Sequence, residues 1–109
     1  MNYNDIWCNL KDSHRGKQFA EAVEAYLGYM VEKKLIHSWT LHRRKFGFGP
    51  AELGEFHIQI AFDDLAQMDE AFFAVVDEDD KELMKRHVPV YSMVKDFKSA
   101  LYRDFPDKR

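Results

Sequence analysis

The tightest constraint on this chain is the run Phe56-His57-Ile58-Gln59-Ile60-Ala61-Phe62. Phe56, Ile58, Ile60 and Phe62 fall on one side, and His57, Gln59 and Ala61 on the other. Side chains alternate across a strand, so this is a strand with one strongly apolar face. That face has to be covered, and the chain supplies a cover upstream. Phe19, Val23, Tyr26, Leu27, Met30 and Val31 recur at i, i+4, i+7, i+8, i+11 and i+12. They form one stripe of a helix from about Ser13 to Lys34, with Ser13 as its expected N-cap.

Three further strands follow from the same logic. Tyr3 to Leu10 alternates, with Ile6, Cys8 and Leu10 opposed to Tyr3, Asp5, Trp7 and Asn9. In Ile36 to Lys45, Trp39 and Leu41 share one side while Ser38, Thr40, His42 and Arg44 share the other. A segment from Phe46 to Gly54, with three glycines and a proline, joins this strand to Phe56–Phe62; it exceeds the usual hairpin loop of about 2–5 residues. A second helix is expected after Asp63 as its cap, burying Leu65, Met68, Phe72 and Val75 or Val76. Asp79 with Glu82 resembles a capping box for a third helical piece carrying Leu83, His87, Val90 and Val94, interrupted by Pro89. The last strand is expected at Asp96 to Asp104, in preference to Val88 to Val94. The order β-α-β-β-α-(α)-β is the split βαβ, or ferredoxin-like, arrangement. It is an α+β fold with a four-stranded antiparallel sheet and its helices on one face. With no repeat, low-complexity tract or linker, residues 1–109 read as one domain.

Composition narrows the function classes. The 109 residues carry 16 Lys and Arg against 19 Asp and Glu, a net charge of −3, which argues against a nucleic-acid binder. The longest apolar run, Ala71 to Val76, is far short of the roughly 20 residues of a membrane span. The polar start Met1-Asn2-Tyr3-Asn4-Asp5 is not a signal peptide, and the single cysteine, Cys8, excludes an internal disulfide. A cytoplasmic location is the expectation. Aromatics are abundant, at 15% of the chain, and a small domain has little interior to hide them. The sheet face without helices would carry Asp5, Trp7, Asn9, His57, Gln59, Tyr102 and either His42 or Trp39. That mixture suits two sheets meeting face to face in a homodimer, a dimeric α+β barrel, with a polar cavity between.

The run Glu55-Phe56-His57-Ile58-Gln59-Ile60-Ala61-Phe62-Asp63-Asp64-Leu65-Ala66-Gln67-Met68-Asp69-Glu70-Ala71 resembles the strand-to-helix junction of NIPSNAP-type and other dimeric α+β barrel proteins. Leu101-Tyr102-Arg103-Asp104-Phe105-Pro106 is similar to the end of their final strand. The resemblance implies a homodimer of ferredoxin-like subunits. Superfamily members with no assigned activity stand beside oxygenases, haem-degrading enzymes and cyclases, so it supports fold above chemistry.

The leading expectation is a small organic, partly apolar ligand held between the sheet faces, with Trp7, Asn9, Arg44, His57, Gln59 and Tyr102 as binding residues. The alternative is an oxygenase- or cyclase-type enzyme, with His42 or His57 as acid–base group and Arg44 holding an anionic substrate. A protein-interaction module is the third reading. If the hairpin strands pair about Pro50, His42 faces Ile58, and His42 and His57 point to opposite sides. No metal-ligand spacing is present, and no metal is expected. No cofactor is expected either. Haem is the one alternative, by analogy with the Trp-Asn-His set of haem-degrading relatives; Trp7 and Asn9 would match, and His87 is the sole helical histidine near the sheet. Gly47-Phe48-Gly49-Pro50 lacks the phosphate-loop spacing, Asp77-Glu78-Asp79-Asp80 lacks the calcium-loop pattern, and Cys8 reads as an inert core residue.

Overall fold

A computed structural model describes residues 1–77 and 80–106. The alternating segments form β1 (Asn2–Leu10), β2 (Ser38–Arg43), β3 (Phe56–Phe62) and β4 (Val94–Arg103). The helices are α1 (Gly16–Glu32), α2 (Leu65–Asp77) and α3 (Lys81–Met93), with a 3-10 turn at Ser13–Arg15 leading into α1. The strands make one antiparallel sheet in the order β2-β3-β1-β4, the ferredoxin-like order expected from the sequence. β4 begins two residues before the expected Asp96, directly out of α3.

The core sits between the sheet and α1. Phe19, Val23, Leu27 and Met30 of α1 are buried against Cys8, Phe56, Ile58 and Ile60, and the Phe19 and Phe56 rings meet edge to face at 5.1 Å. Val31, assigned to the stripe above, is exposed, because it lies at the flank of the face that α1 buries. α3 packs on α1 with Leu83 fully buried in the core and with polar links beside it. The Tyr29 hydroxyl donates to Asp80 Oδ2 at 2.9 Å, and Arg86 Nη1 donates to the Ala25 carbonyl at 3.2 Å.

The helix starts differ from the expected caps by one residue. Asp12, not Ser13, accepts from the His14 amide at 3.0 Å. Asp64, not Asp63, accepts from the Gln67 amide at 2.8 Å, leaving Asp63 to pair with His37 at 2.8 Å. Asp80 caps α3 by accepting from the Leu83 amide at 3.0 Å; the capping box expected of Asp79 lies outside the described residues. Each capping carboxylate sits where it reaches an otherwise unpaired amide two or three residues on.

α2 departs most from expectation. It buries only Met68 and Ala71, while Leu65, Phe72 and Val76 are exposed. Phe72, Val75 and Val76 border a hollow between sheet and helices instead of closing a packed core. Pro89 is accommodated inside α3, in its last two turns.

The long β2–β3 connection sets the hairpin register. Arg44 Nη2 donates to the carbonyls of Pro50 (2.8 Å) and Leu53 (2.6 Å), tying the loop across itself. Phe46 and Gly47 take positive φ values of 56° and 72°. Gly54 then passes so close to the Cys8 backbone that a Cβ there would clash with its carbonyl.

Candidate functional site

Two surfaces of the sheet hold chemically interesting side chains, and they lie back to back. On the open face, β1 and β3 pair Trp7 with His57 and Asp5 with Gln59, and β4 brings Tyr102 beside Tyr3. His42 pairs directly with His57, so both histidines share this face; pairing about Pro50 would have put them on opposite sides. The pairing is displaced by a single residue, which suffices to move a side chain from one face to the other. Trp39 and Leu41 consequently lie on the helix side, where they pack against the core.

The open-face cluster is largely satisfied by its own members. His57 Nε2 lies 2.6 Å from Asp5 Oδ1, and Gln59 Nε2 donates to the same oxygen at 3.2 Å. Asp5 is only 5% exposed despite facing outward. The Trp7 and His57 rings stack at 5.1 Å, and His42 stacks on His57 at 6.4 Å. Trp7, His57, Gln59 and Tyr102 thus come together, with Asp5, Tyr3 and Arg103 around a widely open hollow. Asn9 does not join them, and Arg44 lines an adjoining hollow with Trp7, His42 and His57. Asn9 accepts from the Glu55 amide at 2.8 Å and donates to Asp96 at 3.1 Å, while Arg44 is occupied by the loop carbonyls. Among the described residues, no group of three His, Cys, Asp or Glu side chains is placed to hold a metal ion.

The helix side holds a cavity of about 400 Å³ between the sheet and all three helices. That is within the range of small-molecule sites, roughly 300–1,000 Å³. Its deep wall is Cys8, Val23, Leu27, Met30 and Ile58, all buried; its mouth is Phe72, Val76, Tyr91 and Phe97, all exposed. Polar groups are few. Asn4 accepts from the Ser99 hydroxyl at 2.7 Å and is engaged. Tyr26, His87 and Tyr91 form a row of rings, Tyr26 to His87 at 5.0 Å and His87 to Tyr91 at 5.9 Å. Burial pushes the Tyr26 hydroxyl up to about 12 and the Cys8 thiol up to about 11. The same cause lowers His87 from its ordinary value, keeping the imidazole neutral at pH 7 with one donor and one acceptor nitrogen.

In the sequence, His87 has a chemical role only as an iron-ligand candidate, Tyr26 is one more residue of the apolar stripe, and nothing singles out Tyr91. His87 and Tyr91 are four residues apart on one helix face, a spacing that could have paired them. Tyr26 comes from another helix, and no spacing rule reaches it. Among the described residues, the cavity lining has no Lys or Arg to pair with the propionates of a haem.

Comparison with known proteins supports the fold. The chain resembles At3g17210 from Arabidopsis thaliana (TM-score 0.73, 9% identity, 100% of each chain covered). It also resembles a dimeric ferredoxin-like protein of unknown function from Jannaschia sp. CCS1 (TM-score 0.69, 11% identity, covering 94% of this chain and 98% of that one). A NIPSNAP family protein from Agrobacterium tumefaciens is similar as well (TM-score 0.66, 10% identity, covering 99% and 97%), in line with the resemblance read from the sequence. No curated protein matches the chain by sequence. Over its full length, residues 1–109, the sequence matches one family model, and the chain belongs to that family of unknown function, DUF6614.

Proposed function

We propose that this protein binds a small, largely apolar organic molecule in the cavity between its sheet and its helices, as a subunit of a homodimer. The observation that carries the reading is the cavity of about 400 Å³ with an apolar wall, an exposed apolar mouth and one row of polar rings. A concave apolar site with a few convergent polar groups is the usual form of a small-molecule site. The open face, where the sequence placed the ligand, has less in its favour. Its hollow is of similar size, about 370 Å³, but opens widely to solvent, and its central carboxylate, Asp5, already bonds the His57 imidazole and the Gln59 amide. Arg44, which donates to the carbonyls of Pro50 and Leu53, is engaged as well.

The open face serves better as the dimer surface. Trp7, His57 and Tyr102 give it aromatic area, and the Jannaschia neighbour of the same fold is dimeric. A cytoplasmic location is proposed with it, on the single buried thiol and the absence, among the described residues, of a helix able to cross a membrane.

Thermal unfolding in the presence of a panel of small aromatic and aliphatic compounds tests the ligand reading. A binder present at 100 times its dissociation constant adds about 2.7 kcal/mol. Val75→Trp, which intrudes on the cavity, should sharply reduce that shift; no shift with any compound, or a shift that the substitution leaves unchanged, sinks the reading. Sedimentation velocity tests the dimer. A species of twice 12.9 kDa is expected, and 12.9 kDa at every concentration removes the proposal.

A further inference from the structure

We infer that the molecule taken up by the helix-side cavity is uncharged, and that it enters with its apolar end first and keeps one hydroxyl or carbonyl group at His87. The inference rests on the cavity being the binding site and goes on to name the chemical class of its occupant. None of the described residues that line the cavity is Asp, Glu, Lys or Arg. In a chain where about a third of the residues are charged, a site of this size without one is a selective feature. A carboxylate or ammonium moved into it would lose its water and gain no counter-ion, and such burial is costly.

The lining cannot acquire a charge easily either. Cys8 and Tyr26 are both held protonated by burial, and His87 is held neutral. Neutral imidazole offers one N–H and one lone pair, which match a hydroxyl or a carbonyl. Orientation follows from the burial gradient. The deep wall at Cys8, Leu27 and Ile58 is buried and apolar, whereas His87 adjoins Tyr91, which is at the mouth. The polar end of the ligand therefore remains near the entrance.

A matched pair of probes tests this. At pH 7, 2-naphthol is neutral and 2-naphthoate is an anion of similar size. Equilibrium dialysis of each against the full chain should give an affinity at least tenfold higher for 2-naphthol. Val76→Lys places a cation at the mouth, on a side chain that is 78% exposed and so compatible with folding. It should raise the ratio of 2-naphthoate to 2-naphthol affinity severalfold. Val75→Trp, which intrudes on the cavity, should weaken binding of both at least tenfold; Val90→Phe, which narrows it from α3, serves if the first variant does not fold. Equal affinity for the two probes, both weakened by the intruding side chain, overturns the uncharged class and leaves the cavity reading standing. Binding that the intruding side chain leaves unchanged, or no binding of either probe at millimolar concentration, overturns both.

Discussion

The two faces of the sheet are made by the same four strands and present opposite environments. On the helix side, alternate residues of β1 and β3, mostly apolar, meet α1, α2 and α3 around a cavity whose described lining carries no Asp, Glu, Lys or Arg. On the open side, the intervening residues are Asp5, Trp7, His57 and Gln59, and they bond to each other. The difference teaches where each kind of work can be done. An apolar face with spare volume can take up a molecule, whereas a polar face whose groups are already paired is fit to meet another surface.

The largest effect should come from the packed part of the helix side. Phe19→Ala removes a fully buried ring and should cost about 3–5 kcal/mol in urea unfolding. Tyr102→Ala, at a position 58% exposed, should stay within about 0.5 kcal/mol for dilute monomer. Equal costs would break the contrast between the faces. Asp5→Ala is next. It leaves His57 and Gln59 without their shared acceptor and should cost about 1–3 kcal/mol, measured in the same way. A neutral outcome would mean that the open-face network contributes nothing to stability. His57→Ala should weaken the dimer in sedimentation equilibrium while leaving uptake into the helix-side cavity unchanged. Loss of uptake with an intact dimer would return the site to the open face.

The smallest effect is a pH dependence on the helix side. His87 is held below its ordinary value of 6.5 by burial, so the unfolded chain binds this proton more readily than the folded one. The stability that goes with neutral His87 is therefore fully present above pH 6.5 and is lost as the pH falls through the folded value. Thermal melts from pH 7.5 downward should show a decline that is shallower in His87→Gln. Parallel profiles for the two proteins would show that His87 titrates as it does in the unfolded chain.

Much of this architecture was legible from residue periods. The alternation in Phe56–Phe62 and the stripe from Phe19 to Met30 depend on local backbone geometry, which repeats every two residues in a strand and about every 3.6 in a helix. The ferredoxin-like arrangement followed from the order of the elements that those periods mark out. The candidate site was legible only in part. Trp7, His57, Gln59 and Tyr102 do share a face, because alternation along each strand determines that much. The side taken by His42 was not legible, since it depends on the register across an irregular turn, which pairs His42 with His57.

By itself, then, the sequence determined which segments are strands and helices, which face of the sheet is apolar, and that the chain forms an α+β unit. The tertiary structure alone decided that α2 borders a void in place of filling a core, and that Tyr26 and His87 from separate helices meet across it. Periodicity is a property of neighbours along the chain. Empty volume is what remains when distant segments fail to touch, so it appears only after they are packed.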